Sequence, residues 1–296
     1  MKKLLFVITA LLAIAARAQV TEAVASQVAV TDSDAFFPQL YLGAPRHMLL
    51  YSSYEAARLM LKPLDGTGSA QVVSDTGFPG FSGRFTPDGK VCYVTMQRGE
   101  GNLIYRTGHL FDPATGRDKV VLKPQHGAVK AIVGSKGVAI VGEKKSWNLK
   151  KAGLLCWTQG PNLYVARDGK VRTLHPVSGV TGYLWSSISP DGSKIAFVAA
   201  GKGLYVCDLN GKVISELGLF LMPCWLGNNH IVAMSNSGNI RLTGSRIYMM
   251  TVDGKRLDIL VDNARAIQPA TVGNTVVYTT REGQVHWLKV NVDNDK

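Results

Sequence analysis

The chain has 296 residues, of which 46% are hydrophobic and only 18% are charged. This composition is typical of a folded protein with many half-buried strands, and it excludes a disordered chain. The formal net charge of +12 favours anionic partners. However, the lysines and arginines are scattered along the chain, which argues against a nucleic-acid-binding protein and indicates that most of this charge solvates the surface.

The first residues have the three parts of a secretory signal peptide. A charged start (Met1, Lys2, Lys3) is followed by the apolar residues 4–14, and residues 16–18 read Ala-Arg-Ala, a small-x-small cleavage site. The apolar run is shorter than the ~20 residues that a membrane span needs. We therefore predict a signal peptide over residues 1–18, no membrane span, and a periplasmic or secreted protein.

The remaining residues, 19–296, are predicted to form a single domain built from six repeats. Each repeat contains a short apolar strand, a turn and a second apolar strand, as in residues 82–85 and 91–94. Equivalent positions in the six repeats are Leu40, Phe85, Ile132, Ile188, Trp225 and Thr271, with spacings of 45, 47, 56, 37 and 46 residues. A period in this range, with about four strands per unit, predicts an all-β fold, a six-bladed β-propeller.

Two sets of turns alternate along the chain. The first set joins the first two strands of a blade and includes the Pro-Asp-Gly turns at residues 87–89 and 190–192. The second set joins the last two strands of a blade, with Asp-Gly or Asn-Gly at residues 65–66, 168–169, 210–211 and 253–254. Asp-Gly and Asn-Gly between apolar runs are strong signals of a β-hairpin, so both sets support the propeller.

The last repeat offers only three strands, at residues 268–272, 275–280 and 284–290. An open sheet edge at this point would favour aggregation. Residues 26–31, which precede the first repeat, have strand character. We predict that this N-terminal strand joins the last blade as its outer strand and closes the ring.

The turn motifs of two repeats belong to longer strings. Residues 189–197 read SPDGSKIAF and are followed by GLYVCDLNG at residues 203–211, while residues 85–93 read FTPDGKVCY. These strings resemble the WD40-like (PD40) repeat of the TolB β-propeller family. That family includes periplasmic partner-binding proteins and the propellers attached to prolyl-oligopeptidase-type enzymes. The resemblance therefore implies a propeller scaffold and leaves the activity open.

Four cysteines, at positions 92, 156, 207 and 224, occur in a chain that is predicted to be exported, where disulfides are permitted. Three of them, Cys92, Cys207 and Cys224, lie inside apolar strand patterns, and free cysteine is a common buried residue. The pattern favours buried thiols, with a disulfide bridge as the alternative. There is no Cys-x-x-Cys pair that would indicate a zinc or thioredoxin-like redox site.

Two loops are predicted to be unusually long and to share one face of the propeller, at residues 143–161 and 235–245. The first contains Trp147 and Trp157. Loops much longer than their neighbours tend to carry function, and tryptophan is enriched in binding hot spots. The alternative interpretation is that one or both tryptophans pack the insertion onto its own blade.

Aromatic and charged side chains are expected on the same face, where they suit a peptide, a glycan or a carboxylate-bearing ligand. The expected residues are Tyr54, Glu55, Arg58, Phe78, Phe81, Arg98, Glu100, Tyr183, Phe220, Arg241 and Arg281. From this set and the insertion, we predict a ligand-binding site of Arg98, Trp147, Trp157, Tyr183 and Arg241.

The sequence carries no catalytic motif. It has no Gly-x-Ser-x-Gly string, no His-x-His and no His-Glu-x-x-His spacing. We therefore expect no catalytic residue, metal ligand or cofactor. The predicted function is that of a monomeric, exported protein that binds an envelope protein, a peptide or an anionic glycan. The alternatives are a lyase or hydrolase that acts on an anionic saccharide with a metal in the channel, and a structural component of the cell envelope.

Overall fold

The computed structural model describes residues 24–28, 34–53, 57–65, 67–79, 82–237, 244–263 and 265–291. These residues form antiparallel sheets arranged as a β-propeller, with a 3₁₀ turn at Glu100–Asn102. The predicted all-β propeller fold is confirmed. No helix in the described ranges is long and apolar enough to cross a membrane. The predicted signal peptide, residues 1–18, lies outside the described residues.

The strands follow the predicted repeats. Strand β1 (Val24–Val28) precedes the first repeat. The first repeat contains β2 (Phe36–Tyr41), β3 (Met48–Ser52), β4 (Leu59–Pro63) and β5 (Gln71–Ser74). The second contains β6 (Arg84–Phe85), β7 (Val91–Arg98), β8 (Ile104–Asp112) and β9 (Arg117–His126). The third contains β10 (Val129–Gly134), β11 (Gly137–Gly142), β12 (Leu154–Gln159), β13 (Asn162–Arg167) and β14 (Lys170–Leu174).

The last three repeats complete the ring. The fourth contains β15 (Tyr183–Ile188), β16 (Lys194–Ala199), β17 (Gly203–Asp208) and β18 (Val213–Gly218). The fifth contains β19 (Leu221–Leu226), β20 (His230–Ser237), β21 (Gly244–Thr251) and β22 (Leu257–Val261). The sixth contains β23 (Ala266–Val272), β24 (Thr275–Thr280) and β25 (Val285–Lys289).

These six repeats are the six blades of the propeller. Four of them form a four-stranded sheet from their own strands, and the sixth forms one with β1. The third blade is split into two sheets, β10–β11 and β12–β13–β14. The extra sheet accounts for the long interval of 56 residues between the phase marks of the third and fourth repeats.

In the third blade, the first strand of the second sheet (β12) runs opposite to the first strand of the first sheet (β10). The ammonium group of Lys130, at the start of β10, donates a hydrogen bond to the carbonyl of Thr158, at the end of β12. The amide of Ser135, just after β10, donates to the carbonyl of Leu154, at the start of β12 (2.8 Å). Strand β12 is therefore antiparallel to β10, although the two belong to different sheets.

This arrangement corrects one expectation about residues 143–161, which were predicted to form a single long loop. Only residues 143–153 connect the two sheets, and Cys156 and Trp157 lie in the buried strand β12. The second loop predicted to be long, residues 235–245, is also shorter than expected. Strand β20 continues to Ser237 and β21 begins at Gly244.

Apolar side chains fill the spaces between successive sheets. Leu49 of the first blade packs with Val277 of the sixth, so the first and last blades are in contact. Inside the third blade, Val141 packs against Leu155 and Ala166 of the second sheet. Burial of one such leucine or valine side chain contributes about 1.5–3 kcal/mol relative to exposure. The ring is thus held by a series of face-to-face contacts between sheets.

Strand β1 lies antiparallel beside β25, with Gln27 opposite Trp287 and Val28 opposite His286. This is the position of the outer strand in the sixth blade. That β1 closes the ring stays a prediction, and its test is given below.

Candidate functional site

The loop-rich face is the end of the propeller that carries the loops between blades and the loops between the second and third strands of each blade. Its described segments include residues 75–79, 99–103, 127–128, 143–146, 175–182, 200–202, 219–220, 262–263 and 281–284. The first strands of neighbouring blades also contact each other at their far ends, away from this face. The Trp225 indole donates to the carbonyl of Ser187 (3.1 Å), and the Thr271 hydroxyl donates to the carbonyl of Trp225 (2.6 Å).

Two arginines were predicted to contribute to a ligand site on this face. Arg98 ends β7 and is exposed, and its guanidinium donates a hydrogen bond to the side-chain carbonyl of Asn102 (2.6 Å). Arg241 lies outside the described residues. The binding roles of both arginines stay predictions.

The two tryptophans of the third blade are placed differently. Trp147 is half-buried and packs on the apolar cluster between the second and third blades, and its amide donates to the carbonyl of Ile140 (2.8 Å). Trp157 is 7% exposed and stacks on Tyr164, with ring centroids 5.2 Å apart and planes 15° from parallel. Trp147 thus packs against the protein, as the alternative interpretation expects. Trp157 also borders a cavity, which is described below.

Tyr183 lies in the core between the third and fourth blades and is 2% exposed. Its hydroxyl donates to the carbonyl of Val177 (2.8 Å) and accepts from the amide of the same residue (3.1 Å). The ring meets Phe197 edge-on, with centroids 5.4 Å apart. These contacts fix the segment that leads into β15. A direct ligand contact by Tyr183 stays a prediction.

Four first strands carry the same irregularity near the loop-rich face. The register of each strand shifts over one bulge, and a bulky residue inside the bulge has a positive φ. The residues are Phe37 (52°), Trp185 (49°), Met222 (51°) and Gln268 (56°). Large side chains seldom adopt this conformation, and β-bulges redirect side chains near functional sites. The same β-bulge, which reorients one side chain, therefore occurs in the first strand of four blades.

Sequence reasoning missed these bulges, although a signal was present. Proline follows the positive-φ residue in three of the four strands, as Pro38, Pro223 and Pro269. Proline inside a strand is confined to edges, first positions and bulges, because it has no N–H for the ladder. Proline near the start of the first strand in three repeats therefore indicates that the same bulge recurs along this chain.

Large apolar side chains are exposed on the same face. Those that lie in its loops or at the adjoining strand ends are Phe78, Leu103, Ile104, Leu184, Trp185 and Leu219. The other exposed apolar side chains of the described residues lie on outer strands, apart from Val133 of β10. Exposed apolar residues that share a face mark interaction sites more often than residues scattered singly do.

A cleft of about 300 Å³ opens between the two sheets of the third blade. It is lined by Ala128, just before β10, and by residues of β10 to β14 and of the intersheet connection: Lys130, Val141, Gly142, Glu143, Ser146, Leu149, Trp157, Gln159, Tyr164 and Val171. We call this space the blade-three cleft. The stacked rings of Trp157 and Tyr164 lie in its wall, and the Asn162 side chain donates a hydrogen bond to the Tyr164 hydroxyl (3.1 Å).

Glu143 is held firmly at the mouth of the cleft. Its Oε1 accepts hydrogen bonds from the amide of Ala128 (3.1 Å) and from the side chain of Gln159 (2.7 Å). These two bonds, with smaller contributions from the nearby His126 and Arg106, lower the pKa of Glu143. The carboxylate is therefore ionised at neutral pH.

Lys130 lies in the same cleft. Desolvation lowers the pKa of its amine, although Lys130 is an exposed residue. Its ammonium donates to the Thr158 carbonyl, as described above. The cleft thus combines a cation, a carboxylate, a neutral amide and a pair of stacked rings. Sequence reasoning identified Trp157 but missed Lys130 and Glu143, because they come from separate strands and form no linear motif.

A second polar cluster crosses the second blade. The Nε2 of His109 lies 3.0 Å from the Thr95 hydroxyl, and its Nδ1 lies 2.7 Å from an Asp118 oxygen. Tyr93 stacks on the imidazole, with ring centroids 4.8 Å apart. Because these groups come from three neighbouring strands, the array ties β7, β8 and β9 together.

The four cysteines are free thiols, of which Cys92, Cys156 and Cys207 are buried and Cys224 is half-buried. Burial raises the pKa of each thiol to about 12. Such thiols stay protonated at neutral pH and are weak nucleophiles. Across the part of the chain that the structure describes, no three His, Cys, Asp or Glu residues form a group that could hold a metal ion.

No family model and no curated protein matches the chain. Solved structures do. TolB from Acinetobacter baumannii is 19% identical, with a TM-score of 0.50 over 75% of this chain and 54% of that chain. Oligogalacturonate lyase in complex with manganese is 12% identical, with a TM-score of 0.52 over 93% and 80%. Virginiamycin B lyase from Staphylococcus aureus is 11% identical, with a TM-score of 0.58 over 92% and 99%.

At these identities the likenesses show the fold alone. They support a TolB-like propeller, and they do not extend to the PD40 repeat family as such. This chain spans about half the length of the TolB structure that it matches. The chain is therefore similar in fold to TolB and to two lyases, and these likenesses assign it neither an activity nor a partner.

Proposed function

We propose that this protein binds a polypeptide partner on the loop-rich face and that the propeller itself carries out no reaction. The observation that supports the proposal is the exposure of large apolar side chains on that face. Leu219 is 76% exposed, Phe78 is 60% exposed and Trp185 is 42% exposed. Aromatic anchors of this kind carry much of the binding energy in protein interfaces.

The backbone at the bulges gives a second argument. A non-glycine residue in a sparsely populated backbone region costs about 1–3 kcal/mol, and such residues cluster at binding and active sites. Trp185 has both properties, since its φ is 49° and its side chain is exposed. Gln268, by contrast, accepts the amide of Phe37 (2.7 Å) and Met222 packs on an apolar cluster, so this argument applies to Trp185 alone.

The proposal extends to an exported, monomeric protein, located in the periplasm or secreted, whose partner belongs to the cell envelope. The predicted signal peptide over residues 1–18 supports export. The lyase or hydrolase alternative has support from the fold alone, through the likeness to two lyases. No feature of the described residues favours it over partner binding.

Site-specific photo-cross-linking tests the docking face. We expect Trp185→p-benzoylphenylalanine to give a discrete cross-linked adduct in cells that produce the protein, because the probe sits where the partner is proposed to bind. The matched control is Ile214→p-benzoylphenylalanine. Ile214 is also exposed, at 48%, but lies on the outer strand β18. The adducts are measured by immunoblot and identified by mass spectrometry.

A second arm uses the neighbouring anchor. Phe78→Ala should reduce the Trp185 adduct severalfold, since each residue contributes to the same proposed contact. If the control position gives the same adduct as Trp185, or if neither probe gives one, docking on the loop-rich face is wrong.

Truncation tests the closure of the ring by β1. Removing residues 19–31 from the mature chain should expose the edge of β25 and cause aggregation, because an unpaired strand edge can pair with other molecules. We expect the melting temperature to fall by about 5 °C or more. Removing residues 19–23 alone keeps β1 and serves as the control. Equal melting temperatures for the two truncations would contradict closure by β1.

A further inference from the structure

We infer that the blade-three cleft binds a small carboxylic acid that carries an amino or hydroxyl group on the adjacent carbon and an apolar, preferably aromatic, body. The cleft borders the loop-rich face through Ala128, Glu143 and Ser146, but it contains none of the proposed docking residues Phe78, Trp185 and Leu219. The inference therefore stands or falls independently of partner binding.

Lys130 provides the place for the carboxylate. A lysine ammonium has three N–H donors. Among the hydrogen bonds of the described residues, one of these donors is used, for the Thr158 carbonyl. The other donors remain for a ligand in the cleft, and a charge-assisted hydrogen bond from an ammonium to a carboxylate is stronger than one between neutral groups. A neutral acceptor would satisfy the ammonium less well.

Glu143 provides the place for a donor on the ligand. Both of its hydrogen bonds, from Ala128 and from Gln159, are made by Oε1. Within the described residues Oε2 accepts no hydrogen bond, and an ionised carboxylate accepts at both oxygens. An ammonium or hydroxyl group of the ligand would donate a hydrogen bond to Oε2 of Glu143.

The charges of Lys130 and Glu143 do not pair with each other. Lys130 and Glu143 line the same cleft, yet none of the ion pairs among the described residues joins them. A ligand with an acidic group and a donor group would give each of these charges a partner. Arg106 adds positive charge near Glu143. A neutral hydroxyl group is therefore a suitable donor at this position, besides an ammonium.

The rest of the cleft selects the body of the ligand. Trp157 and Tyr164 form one wall, and Val141, Leu149 and Val171 complete an apolar lining. A planar or aliphatic group would pack there with favourable ring contacts. The volume of about 300 Å³ is at the small end of the range for ligand sites. It therefore favours a single small molecule over an extended chain.

Calorimetric titration of the mature chain, residues 19–296, tests the inference with four related compounds. L-phenylalanine and phenyllactate carry the acid and a donor, 3-phenylpropionate lacks the donor, and phenylalaninamide lacks the acid. We expect the first two to bind and the last two to bind at least about 10-fold more weakly, because each loses a hydrogen bond to a charged group. Tighter binding of phenylalanine or of phenyllactate would show which donor the site takes.

Two variants assign the contacts. Lys130→Gln should abolish the preference for phenylalanine over its amide, and Glu143→Gln should abolish the preference for phenyllactate over phenylpropionate. The controls make the same chemical changes outside the cleft, as Lys136→Gln in the turn between β10 and β11 and as Glu100→Gln in the 3₁₀ turn. Both controls should leave all four affinities unchanged. Circular dichroism verifies that each variant is folded.

The inference is overturned if neither phenylalanine nor phenyllactate binds with a Kd below about 10 mM. It is also overturned if folded Lys130→Gln and Glu143→Gln proteins bind all four compounds as the unmodified chain does.

Discussion

Phe197→Ala is expected to destabilise the propeller by about 3–5 kcal/mol, the cost of removing a fully buried phenyl ring. Phe197 lies in β16 and is 0% exposed. Its ring meets Tyr183 edge-on at 5.4 Å and stacks on Tyr205 at 6.0 Å. The same cluster contains Leu163 of β13, so the substitution would leave a cavity where the third blade packs against the fourth.

Chemical unfolding followed by tryptophan fluorescence measures this effect. Phe197→Leu keeps most of the volume and should cost less than about 1.5 kcal/mol. Phe78→Ala removes an exposed ring of the same size and should change stability by about 0.5 kcal/mol or less. A loss below about 1 kcal/mol for Phe197→Ala would contradict the view that this cluster joins the two blades.

Gly134→Ala is expected to cost about 2–3 kcal/mol, because the added methyl group would overpack the junction of the two sheets in the third blade. A Cβ at this position would lie 2.4 Å from the carbonyl oxygen of Ala152 and 3.1 Å from that of Leu154. Both oxygens belong to the backbone, and they accept the amides of Lys136 and Ser135. Relief of the clash therefore requires the sheets to move apart.

Hydrogen exchange locates the effect of this substitution. The amides of Ser135 and Lys136 should lose protection in Gly134→Ala, while amides in the fifth blade should keep theirs. Gly43→Ala is the matched control, since the three atoms nearest to its new Cβ belong to the side chain of Tyr41 and not to the backbone. Unchanged protection at Ser135 and Lys136 would show that backbone packing does not hold the two sheets together.

The propeller was predictable because its signals are local. The Asp-Gly pair at residues 168–169 predicts a hairpin, and both residues have a positive φ, 51° and 86°, as a two-residue hairpin turn requires. The predicted strand at residues 275–280 coincides with β24, Thr275–Thr280. Turn chemistry and strand alternation act over a few residues, and both can be read directly from the chain.

The split of the third blade was not predictable for the opposite reason. Strand β12 is flanked by no Pro-Asp-Gly or Asp-Gly turn on its N-terminal side. Its direction depends on tertiary contacts such as the bond from Ser135 to Leu154. Tyr183 shows the same limit, because its hydroxyl is satisfied by backbone groups of Val177. Likewise, Lys130 and Glu143 meet in one cleft only after both sheets have packed.

The reversed sheet also separates two quantities that usually go together in a propeller. Each repeat of a propeller commonly supplies one sheet. Here the six repeats supply seven sheets, since the connection inside the third blade leads into the separate sheet β12–β13–β14. The number of sheets in this chain is therefore not given by the number of its sequence repeats.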